Sequence, residues 1–329
     1  KVGGQEVGSQ EKMAAQMNLF RSVRQLPALF TTQKLSPCAS CVHRSASTTR
    51  QSHGQYCMDL VRKHDYENYL CVLLLPSTAH QAAFAVRAFN VELALVRDSV
   101  TDKNIGKMRM QFWKDTLSDI YRERPPQQPV AQELAKAVDS CGLTKRWFSR
   151  ILDNRIENLD DQPHRNLSAL EDYSEQTVSS VLYLTLEILG IKDVHADHAA
   201  SHIGKAIGIC TALRAAPYLA NRRRVFLPMD VMIQCGVSQE DIVRGNQDQK
   251  VKDVMYEIAS LSHSHLEKAR SLKKDVPRKA MPAFLPALSC DSYLKRIQKA
   301  DFNVFDSSLH QRDTLLPLHL LLQKLRRTF

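Results

Sequence analysis

A helical pattern of apolar residues runs through the chain from Asp59 almost to its end. Only 11 glycines and 13 prolines interrupt the 329 residues, and the β-branched residues do not alternate with polar ones as strands require. Phe84, Ala88, Val91 and Leu95 show the spacing of one buried helix face. The chain is therefore predicted to be all-α.

Proline and glycine residues divide this pattern into about eight to ten predicted helices. Residues 181–189 are apolar around most of the helix circumference, which predicts a central helix enclosed by the others. Because no long linker and no internal repeat occurs, residues 59–329 are predicted to form a single helical domain. The predicted breaks are Pro76, Pro125, Pro126, Pro129, Pro163, Gly190, Pro217, Pro228, Gly236, Pro277, Pro282 and Pro286.

The N-terminal stretch, residues 1–58, has a different composition. Residues 13–58 contain five basic residues, many Ser and Thr, and no Asp or Glu. An acid-free stretch with an amphipathic segment, here residues 17–30, is typical of mitochondrial transit peptides. Residues 1–58 are therefore predicted to be a mitochondrial targeting or disordered segment that precedes the helical domain.

The net charge of +10 does not indicate a nucleic-acid partner. Half of it comes from residues 13–58, and the rest is spread among many acids over residues 59–329. The chain contains no block of basic residues that could follow the phosphate backbone of a nucleic acid, so no nucleic acid is expected to bind.

The eight cysteines are scattered, which predicts free thiols and not a disulfide framework. Cys38 and Cys41 form a lone CxxC pair, and a structural zinc ion needs four ligands. We therefore expect no zinc or redox site at this pair.

No apolar run reaches the roughly 18–20 residues that span a bilayer. The longest, residues 315–322, is interrupted by Pro317 and His319 and followed by basic residues. It is either a terminal helix docked on the core or a basic amphipathic helix on a membrane surface, and terminal helices usually dock on the core. Core packing is the favoured interpretation.

Three stretches of the chain resemble the squalene/phytoene synthase family: residues 84–92 (FAVRAFNVE), Trp113 and residues 224–228 (RVFLP), in this order. The resemblance covers most of residues 60–300. It implies an all-α, single-domain isoprenoid synthase-like fold. Active members join two prenyl diphosphates through two aspartate-rich motifs on facing helices. Carboxylates one helical turn apart can hold Mg²⁺, which neutralises the leaving diphosphate.

The metal-binding motifs of the family are degraded in this chain. By resemblance, the first motif falls on Ala94 and Asp98, and the second on Ala215 and Leu219. Only Asp98 is an acid. The resemblance therefore predicts a pseudoenzyme with no catalytic residue, no metal-binding residue and no cofactor.

Other parts of the family pattern remain. Arg214, Arg224 and Tyr173 match positions of the active relatives, although Arg and Tyr also satisfy buried polar networks. Residues 222–224 form a short basic run. That run could hold an anionic lipid headgroup, a retained prenyl diphosphate or an acidic patch of a partner.

Two further acidic pairs could replace the lost ligands. Asp98 with Asp102, and Asp115 with Asp119, each have the DxxxD spacing. The first pair is expected at a helix end and the second on a solvated polar face. Because neither pair supplies a second motif, a working Mg²⁺ site is not expected. An enzyme that uses Asp98 and Asp102 is the alternative.

His195, His198 and His202 share one predicted helix face. The first and last are about 10 Å apart along the axis, too far to bind one metal ion, so a solvated face is expected. His263 and His265 point to different faces, and no role is predicted for them.

Four longer stretches, residues 87–94, 108–113, 182–190 and 195–204, resemble one branch of the family. That branch takes part in the early assembly of mitochondrial respiratory complex I. The resemblance implies complex I subunits or assembly intermediates as partners and biogenesis of a membrane-arm subunit. It also implies peripheral association with the matrix side of the inner membrane. The alternatives are a divergent prenyl transferase and a protein that binds an isoprenoid or lipid ligand.

Overall fold

The computed structural model describes residues 52–100, 102–160, 162–326 and 328–329. These residues form fourteen α-helices with short 3₁₀ and π turns and no strand, which confirms the all-α prediction. The helices are α1 (His53–His64), α2 (Tyr66–Leu73), α3 (His80–Ser99), α4 (Lys103–Ile120), α5 (Pro129–Cys141), α6 (Lys145–Glu157), α7 (Leu167–Ser174), α8 (Ser180–Ile188), α9 (Val194–Ala220), α10 (Met229–Gln234), α11 (Gln239–Val243), α12 (Gln249–Ser271), α13 (Pro286–Lys299) and α14 (Leu316–Arg326).

Helix α1 begins before the predicted start of the helical domain at Asp59. Its first residue is His53, and the Ser52 hydroxyl caps it by accepting the backbone N–H of Gln55 at 3.2 Å. Cys57 is buried in the core that this helix helps to form. Residues 53–58 therefore belong to the helical body.

Six cysteines lie in the described part of the chain, and all six are free thiols. Cys38 and Cys41, with the rest of residues 1–51 of the predicted targeting segment, lie outside the described residues.

The core is built around α8 and α9. Every residue from 181 to 186 in α8 is buried, as the sequence predicts for an enclosed helix. Helix α9 has 27 residues and packs along α12, α7 and α13. The apolar cluster around α9 and the one around α3, α5 and α6 both contact Trp147 and Leu189, so the two clusters are joined through shared side chains.

Helix α9 runs through Pro217, where the sequence predicted a break. Proline has no N–H, so the carbonyl of Leu213 loses its helical donor, at a cost of about 3 kcal/mol. The last turn nevertheless buries Ala216, Leu219 and Ala220. Their packing offsets the lost hydrogen bond, and the predicted break is wrong because tertiary contacts outweigh local propensity.

The described helices outnumber the predicted ones because several are very short. Helices α10 and α11 have six and five residues, too few to show an apolar period. Helix α11 is instead fixed by a capping box, in which the side chains of Ser238 and Asp241 each accept the other residue's backbone N–H.

Helix α9 approaches the segment between α7 and α8 very closely. That segment, Glu175–Ser179, is a π-helical turn. A Cβ atom on Gly204 would lie 2.5 Å from Ser179 Cα, and one on Gly208 would lie 2.4 Å from Ser174 Cβ. Both approaches therefore require glycine.

The close approach predicts that Gly204→Ala destabilises the protein by about 3 kcal/mol or more, because the obstructing Ser179 atoms include backbone that cannot rotate away. Gly54→Ala in α1 is the matched control, since its new Cβ would meet only Glu133 Oε2 at 3.5 Å. The control should be neutral or slightly stabilising. Urea unfolding measures both, and equal effects of the two substitutions would contradict the close-packing explanation.

Helix α14 docks on the body along one side, as the favoured interpretation expects, and most of its other side chains are exposed. Leu316 and Leu320 are buried, in a cluster with Cys71 and Leu285. Leucines occur on all sides of this helix, so contact along one side leaves the leucines of the other sides exposed to solvent. No described helix is both long enough and apolar enough to cross a membrane. The exposed leucines are Leu315, Leu318, Leu321, Leu322 and Leu325.

Candidate functional site

A cavity of about 650 Å³ lies beside the C-terminal half of α9. Cys210, Arg214 and Ala215 line it from α9, and residues of α2 and α13 form other parts of its wall. Because ionisable residues of both signs line this space, it does not present a uniform field to an anion. Those ionisable residues are Lys63, His64, Asp65, Glu67, Arg214, Arg312 and Asp313.

The four positions predicted to correspond to the metal motifs hold one acid. Ala94 is exposed on α3, and Ala215 lines the cavity. Leu219 is only 8% exposed and packs in the core. Across the described residues, no group of three or more His, Cys, Asp or Glu side chains could hold a metal ion.

Asp98 joins α3 to α9. It is exposed in the last turn of α3 and accepts a hydrogen bond of 3.2 Å from the Tyr218 hydroxyl. The Arg222 guanidinium lies 3.7 Å from the centre of the Tyr218 ring. Burial and the Asp98 carboxylate raise the pKa of Tyr218, so the phenol is neutral. A neutral phenol, with a cation over its ring, therefore faces Asp98 where carboxylates would be needed to share metal ions.

Arg214 lines the cavity, but its charge is paired within the protein. Its Nη1 lies 2.8 Å from Oε2 of Glu67 on α2. The guanidinium is also 5.7 Å from the centre of the Tyr293 ring. Any phosphate approaching Arg214 has to compete with the Glu67 carboxylate for the same donor. The pair lowers the capacity of the cavity to hold a diphosphate.

The other candidate carboxylates serve local structure. Asp102 is the N-cap of α4, and its Oδ1 accepts the N–H of Asn104 at 2.7 Å. The Asp98–Asp102 pair thus straddles the end of α3 and the start of α4, which confirms the helix-end prediction. Asp115 is exposed and accepts the Gln111 amide at 2.9 Å. These residues do not form two facing pairs.

Tyr173 belongs to a packed aromatic cluster. Its ring centre lies 5.3 Å from that of His164 and 5.4 Å from that of Phe226. The Arg97 guanidinium lies 4.7 Å from the centre of the Phe226 ring. Burial, with the nearby charge of Arg97, lowers the pKa of His164 to about 4, so this imidazole is neutral. The half-buried Tyr173 therefore has a packing role in this cluster.

The basic run at residues 222–224 divides among different contacts. Arg222 lies over the Tyr218 ring, and Arg223 lies 3.3 Å from Glu240. The backbone N–H of Arg224 donates to the Leu219 carbonyl at 2.9 Å. Because Arg222 and Arg223 already have partners on different elements, the run is not a ready-made site for a single anion.

The histidines of α9 do not all lie on a solvated face, which corrects the sequence-based expectation. His195 and His198 are exposed as predicted. His202 instead contacts α12, with its Nδ1 2.9 Å from Nδ1 of the buried His265. His265 Nε2 is in turn 3.6 Å from Glu171. One ring must donate and the other accept, so both imidazoles of the pair cannot be protonated together.

Charged groups from three elements surround this histidine pair. Lys205 donates to Glu171 at 2.8 Å, and Lys268 adds a further positive charge near His202. Burial lowers the pKa of His202, and the neighbouring His265 and Lys205 lower it further. Burial also lowers the pKa of His265, although Glu171 acts in the opposite direction. Burial opposes ionisation of Glu171, but the hydrogen bond from Lys205 keeps its pKa below the usual value.

The histidine pair predicts that the protein loses stability in mild acid. Both folded-state pKa values are lowered, so the unfolded chain binds more protons below its own histidine pKa of about 6.5. The free energy of unfolding should therefore be highest above about pH 7 and fall as the pH drops through about 6.5. Urea unfolding at a series of pH values measures this dependence.

His202→Gln removes one of these titrating groups and should reduce the slope by up to about 1.4 kcal/mol per pH unit. The matched control is His195→Gln, at an exposed position of the same helix, which should leave the slope unchanged. A slope that is the same in all three proteins would argue against the pair as the source of acid sensitivity.

Sequence reasoning missed Glu67 and His265. Glu67 is separated from Arg214 by 147 residues along the chain, and no motif links them. The one available signal was Arg214 itself, since an arginine retained beside lost aspartates needs a compensating charge. That signal does not identify which acid provides the charge.

A model of the squalene/phytoene synthase family matches residues 61–318. The chain belongs to this family. The match confirms the resemblance seen in the sequence and covers the helical body from the last turn of α1 to the first turn of α14. Within the family, the fold is shared by solved structures of low sequence identity. A dehydrosqualene synthase in complex with ligand superposes with a TM-score of 0.73 at 18% identity, over 83% of this chain and 95% of that chain. Squalene synthase HpnC from Alicyclobacillus acidocaldarius gives 0.68 at 17% identity, over 76% and 95%.

Sequence identity is higher to proteins described as complex I assembly factors than to these synthases. NADH dehydrogenase (ubiquinone) complex I, assembly factor 6 from Homo sapiens is 61% identical over 274 residues, which cover 83% of this chain and 82% of that protein. The Drosophila melanogaster homolog is 42% identical over 283 residues, covering 84% of each chain. Presqualene diphosphate synthase from Rhodopseudomonas palustris is 23% identical over 216 residues, covering 65% of this chain and 77% of that enzyme.

Proposed function

We propose that this protein is a non-catalytic member of the squalene/phytoene synthase family that serves in the early assembly of mitochondrial respiratory complex I. The observation that carries the proposal is the 61% identity to human complex I assembly factor 6 over 82% of its length. The proposal extends to the biogenesis of a membrane-arm subunit. Subunits or assembly intermediates of complex I are then the partners.

The loss of catalysis is part of the proposal and rests on the chemistry of the site. A departing diphosphate needs Mg²⁺ held by carboxylates to neutralise the developing charge. Three of the four positions that would supply these ligands hold Ala94, Ala215 and Leu219. The fourth, Asp98, faces a phenol. Because binding without charge neutralisation does not lower the barrier, the residues present do not support diphosphate chemistry.

We further propose that the protein works on the matrix side of the inner membrane as a peripheral protein. The acid-free, basic composition of residues 13–58 supports import, with the residues that precede α1 as the targeting region. The described helices include no candidate for a membrane span.

The structure gives less support to a protein that stores an isoprenoid in the cavity beside α9. Isoprenoid sites are predominantly apolar with few polar groups. Here Arg214, Glu67, Asp65 and Arg312 line the cavity. Desolvating these charges against a hydrocarbon chain would cost binding free energy.

The proposed function predicts that expression of this chain restores complex I in human cells that lack their own assembly factor 6. Blue native electrophoresis and NADH:ubiquinone oxidoreductase activity measure the recovery, with the other respiratory complexes as internal reference. Asp98→Asn should restore complex I as well as the unmodified chain does, because the carboxylate is not needed for catalysis. Gly204→Ala is the loss-of-function control, since it disturbs the packing of α9.

Two outcomes contradict the proposal. If the unmodified chain accumulates in mitochondria and complex I stays low, the assembly role is wrong. If Asp98→Asn folds and accumulates normally yet fails to restore complex I, the non-catalytic part is wrong.

A further inference from the structure

Helix α14 exposes a continuous leucine face. Leu318, Leu321, Leu322 and Leu325 are 53%, 45%, 39% and 70% exposed. At 100° per residue they fall within an arc of about 100°, on the side opposite the anchoring residues Leu316 and Leu320. Such a contiguous apolar face on a folded protein marks a surface that is covered in use.

A groove with positive charge lies beside this helix. It has a volume of about 400 Å³, and Arg278, Lys279 and Lys324 are among its lining residues. Its described lining includes no Asp or Glu, and the rest is largely apolar, with Met281 and Leu285 among the contributors. Residues 314–329 also contain no acid. Lys324 joins the two: at 100° per residue it lies between the anchoring side of α14 and the leucine face, so the groove adjoins one edge of that face.

The charge pattern decides among the occupants that could cover this surface. A second copy of the chain related by a two-fold axis would bring the same basic groups against it, and like charges repel. Residues 13–58 carry five basic residues and no acid, so this segment is equally unsuitable. An anionic bilayer supplies an apolar interior for the leucines and phosphates for Lys279, Lys324 and Arg278 at the same time.

We propose that α14 and the adjoining groove of Arg278, Lys279 and Lys324 form the surface on which the protein docks to an anionic lipid bilayer. The leucine face lies in the headgroup and acyl boundary, and the lysines and arginine contact lipid phosphates. This inference rests on the proposed function insofar as it names the surface of a peripheral membrane protein. It is tested with purified protein, independently of complex I.

The test is flotation of the full 329-residue chain with two kinds of vesicle, one of pure phosphatidylcholine and one in which about 30% of the lipid is phosphatidylglycerol. The unmodified chain should bind the anionic vesicles and bind the neutral ones much more weakly. Leu321→Gln with Leu325→Gln should lower binding to anionic vesicles about tenfold or more, because two exposed leucines no longer enter the bilayer. Lys279→Gln with Lys324→Gln should lower it by a similar factor and leave the weak neutral binding unchanged.

Matched controls distinguish binding by this surface from nonspecific binding by other exposed apolar or basic residues. Ile233→Gln changes an apolar residue on α10 that is 69% exposed, and Lys250→Gln changes an exposed lysine on α12. Both should bind as the unmodified chain does. Residues 1–51 are identical in every variant, so a difference in binding between variants is due to the substituted residues. All substituted side chains are exposed, so the thermal midpoint of unfolding should not move.

Several results would overturn the proposal. They are absence of binding to anionic vesicles, equal binding to both vesicle types, or α14 variants that bind as the controls do. A dimer that only the α14 substitutions dissociate would identify the face as a contact between copies instead. If vesicle binding fails while the chain still restores complex I, the docking surface alone is rejected. If vesicle binding follows the prediction and restoration fails, only the proposed function is rejected.

Discussion

The contact between α9 and the π-helical turn at Glu175–Ser179 positions the other elements of the molecule. Gly204 and Gly208 bring the backbone of α9 against Ser179 and Ser174. The turn also supplies a partly buried carboxylate: Glu175 accepts hydrogen bonds of 2.8 Å from both Tyr183 on α8 and Ser201 on α9. Arg150 on α6 lies 3.6 Å from the same group. One turn therefore ties α6, α8 and α9 together, and a shift of α9 would disturb all of these partners at once.

This arrangement explains how the fold would persist under the proposed loss of metal ligands. Stability comes from close helix packing and from the polar contacts of Glu175. On α9 these contacts lie between Ser201 and Gly208. Arg214 and Ala215 lie further along the same helix and face the cavity. These two regions of α9 have different partners. Loss of aspartates from the region that faces the cavity therefore would not disturb the region that packs against the π-helical turn. A neutral Tyr218 and a Glu67–Arg214 ion pair then satisfy the polar groups that remain at the site.

The parts of the structure that follow from local pattern could be predicted from the sequence. These include the all-α class, the enclosed helix α8 and the helix-end position of Asp98 and Asp102. The parts that depend on tertiary contacts could not. Pro217 signals a break by local propensity, and packing of the following turn overrides it. The pairing of His202 with His265 joins two helices that are 63 residues apart, so helix periodicity alone shows neither the partner nor the burial. For α14, leucines on all sides left its buried side undetermined until the body it docks on was known.

The proposed function requires that the family scaffold is retained while its metal-dependent chemistry is lost. The most direct measurement is release of diphosphate when the purified protein is incubated with a prenyl diphosphate and Mg²⁺, with an active presqualene diphosphate synthase as the positive control. We expect no release above that of buffer, with or without Mg²⁺. Mg²⁺-dependent release that Asp98→Asn abolishes, in a variant that unfolds at the same urea concentration as the unmodified protein, would contradict it.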